Sequence, residues 1–287
     1  MSGKVTRRRF VRGVSSAFAA SAILDLPQRP VIANHEKKVR LAFVGVGNRG
    51  TGLLKTLLNL EGVEVNAVSD IRQAHLERAQ RLAEAKQGKR PQGYGEGPED
   101  FRKLVLRSDL DAVIVATPWE WHTPMAVAAM KAGKYAGVEV PAALTVDECW
   151  ELVNTSEETG VPCMMLENVC YFRDMLLLLN VVRQGILGEV LHCEGGYQHD
   201  SRAGCFDDKG NFDDPQASDR SLGQLWYTPH TVRRNGNLYP THPIGPIAQY
   251  MNIERGDRFT YLVSMSSKSR GLNLWVENKF GPAVPVR

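Results

Sequence analysis

Val39-Arg40-Leu41-Ala42-Phe43-Val44-Gly45-Val46-Gly47-Asn48-Arg49-Gly50 is the stretch that decides the fold of this chain. Val39 to Val44 has the pattern of a strand, and the six residues after it spell G-x-G-x-x-G. Directly downstream, Thr51 to Leu60 sets Leu53, Leu54, Leu57 and Leu58 on one side of a helix. A glycine triplet between a strand and a helix is the fingerprint of a dinucleotide-binding turn. Gly45 makes the tight turn, Gly47 lets backbone approach a pyrophosphate, Gly50 lets helix and strand pack closely, and the helix N-terminus supplies N–H donors. Asp70 closes the next strand, Val63 to Val68, about twenty residues past the last glycine. A carboxylate there accepts ribose hydroxyls and repels a 2′-phosphate, which favours NAD over NADP; Arg72 and Arg49 keep a phosphate cradle open as the other reading.

Strand and helix patterns continue to alternate outward from this turn. Ile71 to Lys86 reads as a helix, Gln87 to Gly97 as a Gly/Pro-rich loop and Asp100 to Leu106 as a short helix. Asp111 to Ala116 is an unbroken apolar strand, Pro124 to Ala132 a helix and Tyr135 to Val140 a strand. Thr145-x-x-Glu148 opens a helix as a capping box, and Val161 to Leu166 supplies a last strand. This order predicts an α/β fold, a Rossmann doubly wound parallel sheet over residues 39–167. Thr117-Pro118 and Trp119-Glu120-Trp121-His122 fall at the carboxyl edge of that sheet, where such folds hold a ligand. Trp119 and His122 are candidate cofactor contacts there, with simple covering of the sheet end by Trp119 and Trp121 as the alternative.

Residues 168–287 read as an incomplete α+β open-sheet domain for substrate. Met175 to Val182 predicts a helix, Glu189 to Gly195 and Phe259 to Ser264 predict strands, and Asn237 to Asn252 a turn leading into a helix. Ser201 to Gly223 is a long polar loop without periodicity, of the kind that carries function.

With 43% hydrophobic and 23% charged residues in 287, the chain has the composition of a soluble globular protein. Lys4, Arg7, Arg8, Arg9 and Arg12 cluster without an acid and contribute to the net charge of +3, leaving the rest of the chain near neutral, so no nucleic-acid partner is expected. These bases precede Val14 to Leu24, a short apolar run closed by Asp25 and Pro27, which is the layout of an export signal over residues 1–27. The run is too short to span a bilayer, so no stable membrane insertion is expected after its removal. Thr6-Arg7-Arg8-Arg9-Phe10-Val11 resembles a twin-arginine signal, which implies a periplasmic enzyme that crosses the membrane folded and carries its cofactor along; a basic arm on a cytoplasmic enzyme is the competing reading. Residues 28–38 form a polar linker. Five cysteines, odd in number and without paired C-x-x-C spacing, indicate neither a disulfide framework nor a metal site.

GVGNRG, ATPWEWH, Val138-Glu139-Val140-Pro141, Glu167-Asn168 and Tyr239-Pro240-Thr241-His242 together resemble the glucose-fructose oxidoreductase and inositol dehydrogenase superfamily (Gfo/Idh/MocA), and within it the family-109 glycoside hydrolases, chiefly α-N-acetylgalactosaminidases. The resemblance runs from Val39 to the end of the chain, with YPTH its most discriminating piece. It implies that Asn48, Arg49, Asp70, Trp119, Glu120, Trp121, His122, Glu139, Val140 and Asn168 contact NAD, while Tyr197, Tyr239 and His242 face the sugar. After Trp226 the family usually has a substrate-contacting arginine, where this chain has Tyr227, and Pro243 stands where glycine is usual. It also implies a substrate domain that continues past residue 287, and homo-oligomers formed through its open sheet.

Superfamily dehydrogenases carry a lysine where Val140 stands, and valine moves no proton. The family mechanism implied is transient oxidation at C3, elimination of the C1 group, addition of water and re-reduction, so that NAD is regenerated in each turnover. His242 is the candidate for proton transfer and Tyr239 its assistant, with Tyr171 a further cleft-facing hydroxyl; capping of the following helix is the bland alternative for His242. Glu139 with Glu167 or Asp174 would form a conventional carboxylate pair, although the resemblance assigns Glu139 to the cofactor. Two rival functions remain: a periplasmic NAD(P)-dependent sugar or polyol oxidoreductase, and a non-catalytic sugar-binding protein that keeps NAD.

Overall fold

Six parallel strands in the order β3-β2-β1-β4-β5-β6 form the one sheet among the described residues. The structure, a computed structural model, describes residues 38–200, 202, 205–206, 225–234 and 236–282. The export signal, nearly all of the linker and most of the Ser201 to Gly223 loop therefore lie outside the described residues. The strands are β1 (Val39–Val44), β2 (Val63–Ser69), β3 (Gln92–Tyr94), β4 (Ala112–Val115), β5 (Tyr135–Val138) and β6 (Cys163–Met165). The order reverses between β1 and β4, which opens a crevice at their carboxyl ends.

Both faces of the sheet are covered, which is why its central strands are apolar without interruption. Along β1 the side chains alternate: Leu41 and Phe43 join Val65, Leu54 and Leu76 on one face, while Ala42 and Val44 join Val113, Met130 and Phe101 on the other. Helix α1 (Asn48–Leu57) buries Leu54, and α2 (Gln73–Gln87) buries Leu76, Ala79 and Ala83. On the opposite face lie α3 (Phe101–Val105), α4 (His122–Lys131) and α5 (Val146–Thr159). The glycines at 88 and 160 end α2 and α5 in the left-handed conformation.

The capping box read at Thr145 is present. The Thr145 hydroxyl accepts from the Glu148 N–H at 3.1 Å, and the Glu148 carboxylate accepts from the Thr145 N–H at 3.0 Å. Thr145→Ala is expected to cost about 1 kcal/mol in denaturant unfolding while leaving dinucleotide binding unchanged.

Two sequence expectations need correction. The Gln87 to Gly97 loop contains β3, an edge strand of three residues paired with β2 from Ala67 to Ser69. The Glu189 to Gly195 and Phe259 to Ser264 segments, expected as strands, run without ladder partners among the described residues. Alternation supplies a face but not a neighbour, and Leu191 and Leu262 remain 82% and 83% exposed. The C-terminal part otherwise contributes α6 (Arg173–Arg183), α7 (Thr228–Arg233), α8 (Thr241–Tyr250) and α9 (Gly271–Phe280), so that α6 and α8 match the helices read there. No helix among the described residues is long and apolar enough to cross a membrane.

Candidate active site

A cleft of about 1400 Å³ runs from the glycine turn to Tyr239 and His242. That exceeds the ~300–1,000 Å³ of an ordinary small-molecule pocket, and suits a dinucleotide with a second ligand. Its floor is the carboxyl edge of β1, β4 and β5, and its far wall comes from residues after β6.

The glycine turn separates into two jobs. Gly45 has φ +83°, and a Cβ there would sit 2.7 Å from the backbone of Ala116. At Gly50 a Cβ would lie 2.0 Å from the Gly45 carbonyl oxygen. Both glycines are thus demanded by the protein's own packing. Gly47 differs: it lines the cleft, and the nearest atoms to its added Cβ belong to the His75 ring at 3.7 Å. The protein leaves room there, which fits a ligand pressed against the backbone. Helix α1 begins at this point without a side-chain cap, and Asn48 and Arg49 line the same cleft. Uncapped helix amides of this kind suit a pyrophosphate, so the residues present fit NAD.

Asp70 lies at the cleft and also braces the turn, a role the sequence did not disclose. Its Oδ2 accepts from Val46 N–H and its Oδ1 from Arg72 N–H, both at 2.9 Å, with His75 Nδ1 3.5 Å away. A carboxylate oxygen accepts more than one hydrogen bond, so a ribose hydroxyl can be added to these contacts. Arg78, also unforeseen, donates to the Val46 carbonyl at 3.1 Å and to the Thr51 hydroxyl at 3.2 Å. His75 and Arg78 are three apart on α2, so one helix face supplies both.

Trp119, Trp121 and His122 line the cleft, but Glu120 and Gly50 do not. Trp119 is 3% exposed and its ring meets Trp226, Tyr227, Tyr239 and His230 with centroids 4.8–5.5 Å apart. It therefore covers the sheet end and walls the cleft at once. Trp121 packs edge-on to Phe101. The Glu120 carboxylate, half exposed, pairs with His230 at 2.9 Å instead of facing the cleft. His122 is fully buried, with its ring nitrogens 2.7 Å from the Pro141 carbonyl and 2.9 Å from that of Thr117. Burial pushes its pKa down, so the neutral ring donates to one of the two carbonyls and braces the loop there.

Glu139 is buried, and its carboxylate takes an ion pair from Arg49 and a hydrogen bond from Val140 N–H. Asp174 is exposed and accepts from Met175 N–H outside the cleft lining. Neither arrangement resembles two carboxylates facing each other across a glycosidic bond. Val140 and Asn168 line the cleft between the turn and its aromatic end, whereas Tyr171 is 61% exposed and does not.

At that aromatic end, Tyr197, Tyr227, Tyr239 and His242 come together as the sequence grouped them. Tyr239 stacks on Tyr227 and on His242 at centroid distances of 5.6 Å, and Tyr197 lies 4.3 Å from the His242 ring. Burial first, then the neighbouring tyrosines Tyr227 and Tyr197, push the Tyr239 hydroxyl above its usual range. Burial likewise raises Tyr227. Both phenols stay protonated near neutrality and serve as hydrogen-bond donors. His242 Nδ1 faces both oxygens of Glu167, at 2.8 and 2.9 Å. The sequence reading missed that contact, because 75 residues separate the partners.

Two family models match adjoining parts of the chain. Residues 39–167 match the model for the oxidoreductase family with NAD-binding Rossmann fold, and residues 171–287 match the glycosyl hydrolase 109 C-terminal domain. A glycosyl hydrolase family 109 protein of Shewanella pealeana is 42% identical over 293 residues, covering 96% of this chain and 62% of that protein. One from Shewanella sp. strain MR-4 is 47% identical over 250 residues, covering 87% of this chain and 52% of the relative. The chain thus spans between half and two thirds of the length of these curated relatives. A scyllo-inositol dehydrogenase from Lactobacillus casei superposes with a TM-score of 0.48 at 19% identity, over 53% of this chain and 44% of that one. The chain thus joins a match to the NAD-binding Rossmann family with a match to the family-109 C-terminal domain, and over nearly its whole length it is similar to glycosyl hydrolase family 109 proteins.

Proposed function

We propose that this chain carries the cofactor and sugar machinery of an NAD-dependent glycoside hydrolase that acts on α-N-acetylgalactosaminides. The observation that carries the reading is one cleft reaching from the glycine turn to His242, with Val140 rather than lysine at its floor. Among the described residues the lining carboxylates are Asp70 and Glu139, one bracing the turn and the other paired with Arg49. Among the described residues neither carboxylate is placed for the conventional two-carboxylate route, whereas the residues for a route through the cofactor are present.

In this reading the backbone at Gly47, Asn48 and Arg49 holds the pyrophosphate, and Asp70 the adenosine ribose. The bound cofactor supplies a reversible hydride sink for C3 of the sugar. Tyr239, kept protonated, donates a hydrogen bond to the oxygen at C3, whose own proton leaves to water as the hydride departs and returns on re-reduction. With C3 held transiently as a ketone the C2 proton is acidic, and its removal expels the group at C1. Nε2 of His242 takes that proton and passes it to the departing C1 group; water then adds at C1 as a proton returns to C2, hydride returns to C3, and the wall of Trp119, Tyr227 and Tyr239 limits access of bulk water. We further propose that the basic and apolar N-terminal pattern exports the folded protein with NAD already held.

Turnover in D2O tests the chemistry. The released sugar is expected to carry deuterium at C2, read by proton NMR. A product with protium alone at C2 would reject the elimination route, and steady growth of absorbance at ~340 nm with a free sugar would favour an oxidoreductase instead.

A further inference from the structure

We infer that Glu167 is a positioning residue that holds His242 as its Nδ1–H tautomer and leaves Nε2 bare at the sugar end of the cleft. The use made of Nε2 rests on the function proposed above, but the tautomer can be read without any turnover.

Glu167 sits at the carboxyl end of the sheet, just after β6, at the N-cap of the short 3-10 turn Asn168–Tyr171. His242 is the second residue of α8. Their side chains are buried to all but 5% and 10%, and both carboxylate oxygens lie within hydrogen-bond reach of Nδ1. An ionised carboxylate only accepts, so the proton between them belongs on Nδ1. The other ring nitrogen, in a residue that lines the cleft, has no protein hydrogen bond among the described residues. A histidine whose second nitrogen is fixed in this way presents one defined lone pair.

Three further features serve the same arrangement. Tyr239 lies parallel to the imidazole at 3°, and Tyr197 packs on it at 57°, so the ring cannot swing away from the carboxylate. Glu167 Oε1 also accepts from Val169 N–H at 2.9 Å, which anchors the carboxylate itself. Gly245 stands one helical turn beyond His242, and a Cβ there would lie 2.8 Å from Glu167 Cγ and 2.9 Å from Cys170 Sγ. The missing side chain is what lets α8 settle onto the stem of Glu167. Tyr239, Tyr197, Cys170 and Glu167 are the titratable groups around the ring in this corner.

The test is a two-bond proton–nitrogen correlation spectrum of the full chain labelled with 15N-histidine at pH 8, with the His242 signal assigned by its loss in His242→Gln. The expected pattern is a protonated Nδ1 and a bare Nε2. Glu167→Gln, with its amide oxygen on Val169 N–H, still accepts from Nδ1 and is expected to keep the pattern, whereas Glu167→Leu removes every acceptor and is expected to move the ring toward the Nε2–H tautomer. Gly245→Ala, which pushes Glu167 aside, is expected to move it the same way. In turnover, Glu167→Leu should lower kcat about tenfold or more with KM within about twofold and bound NAD unchanged, and Glu167→Gln should retain most of the rate. An Nε2–H or doubly protonated ring in the unmodified protein overturns the inference, and so does an unaltered His242 pattern in Glu167→Leu. Absence of turnover with any glycoside would count against the proposed function, and leaves the spectroscopic answer intact.

Discussion

Gly47→Ala and Gly50→Ala are expected to fail in opposite ways. The methyl group at residue 50 would meet the Gly45 carbonyl oxygen at 2.0 Å, a backbone atom that moves only with the whole turn. Overpacking costs typically about 1–3 kcal/mol, and a backbone clash this close belongs at the upper end, so thermal unfolding should show a large loss. NAD affinity should fall with it, since the shifted turn also carries the Val46 N–H that Asp70 holds. At residue 47 the same methyl group finds no protein atom nearer than 3.7 Å, so stability should stay within about 0.5 kcal/mol of the parent. The space it fills is the one assigned to the pyrophosphate, so NAD titration should show binding reduced by about a hundredfold or more, the equivalent of two tightly made polar contacts. Equal effects of the two substitutions on stability would mean that Gly47 is an ordinary packing glycine.

His242→Ala is expected to lower kcat by about 10²–10⁴, the usual span for a general acid or base, while bound NAD stays at the parent level. The residue stands at the start of α8 and was open to a structural reading as a helix cap. Its ring nitrogen instead faces a carboxylate of another segment, and no side-chain cap bond is made at the helix start. A helix cap would lose stability and keep turnover; a proton-transfer group loses turnover first. Measurement of kcat, NAD content and thermal midpoint on one preparation separates the two.

The first part of the chain was legible because its signals are local. The glycine turn, the apolar run of β4 and the box at Thr145 each declare themselves within about six residues, and the parallel sheet follows from their order. β3 escaped notice because three residues among glycines have no period, and only pairing with β2 makes them a strand. The segments at 189–195 and 259–264 show the converse: alternation was present, but a ladder needs a neighbouring chain that sequence pattern does not supply.

The site divides along the same line. Gly45, Asp70, Tyr239 and His242 were found from motif and resemblance, and the cleft gathers them. Long-range contacts were not legible. Nothing in ATPWEWH says that the His122 ring lies between two carbonyls or that Glu120 turns to His230. Glu167 was visible as a carboxylate beside Asn168, yet its partner on α8 depends on Gly245 allowing the approach.

The most direct test of the whole account is the rate of hydrolysis of an aryl α-N-acetylgalactosaminide before NAD is stripped from the purified protein, after stripping, and after NAD is restored. Hydrolysis that stops on removal and returns on restoration is the predicted result. Undiminished cleavage by protein shown to be free of NAD would contradict it.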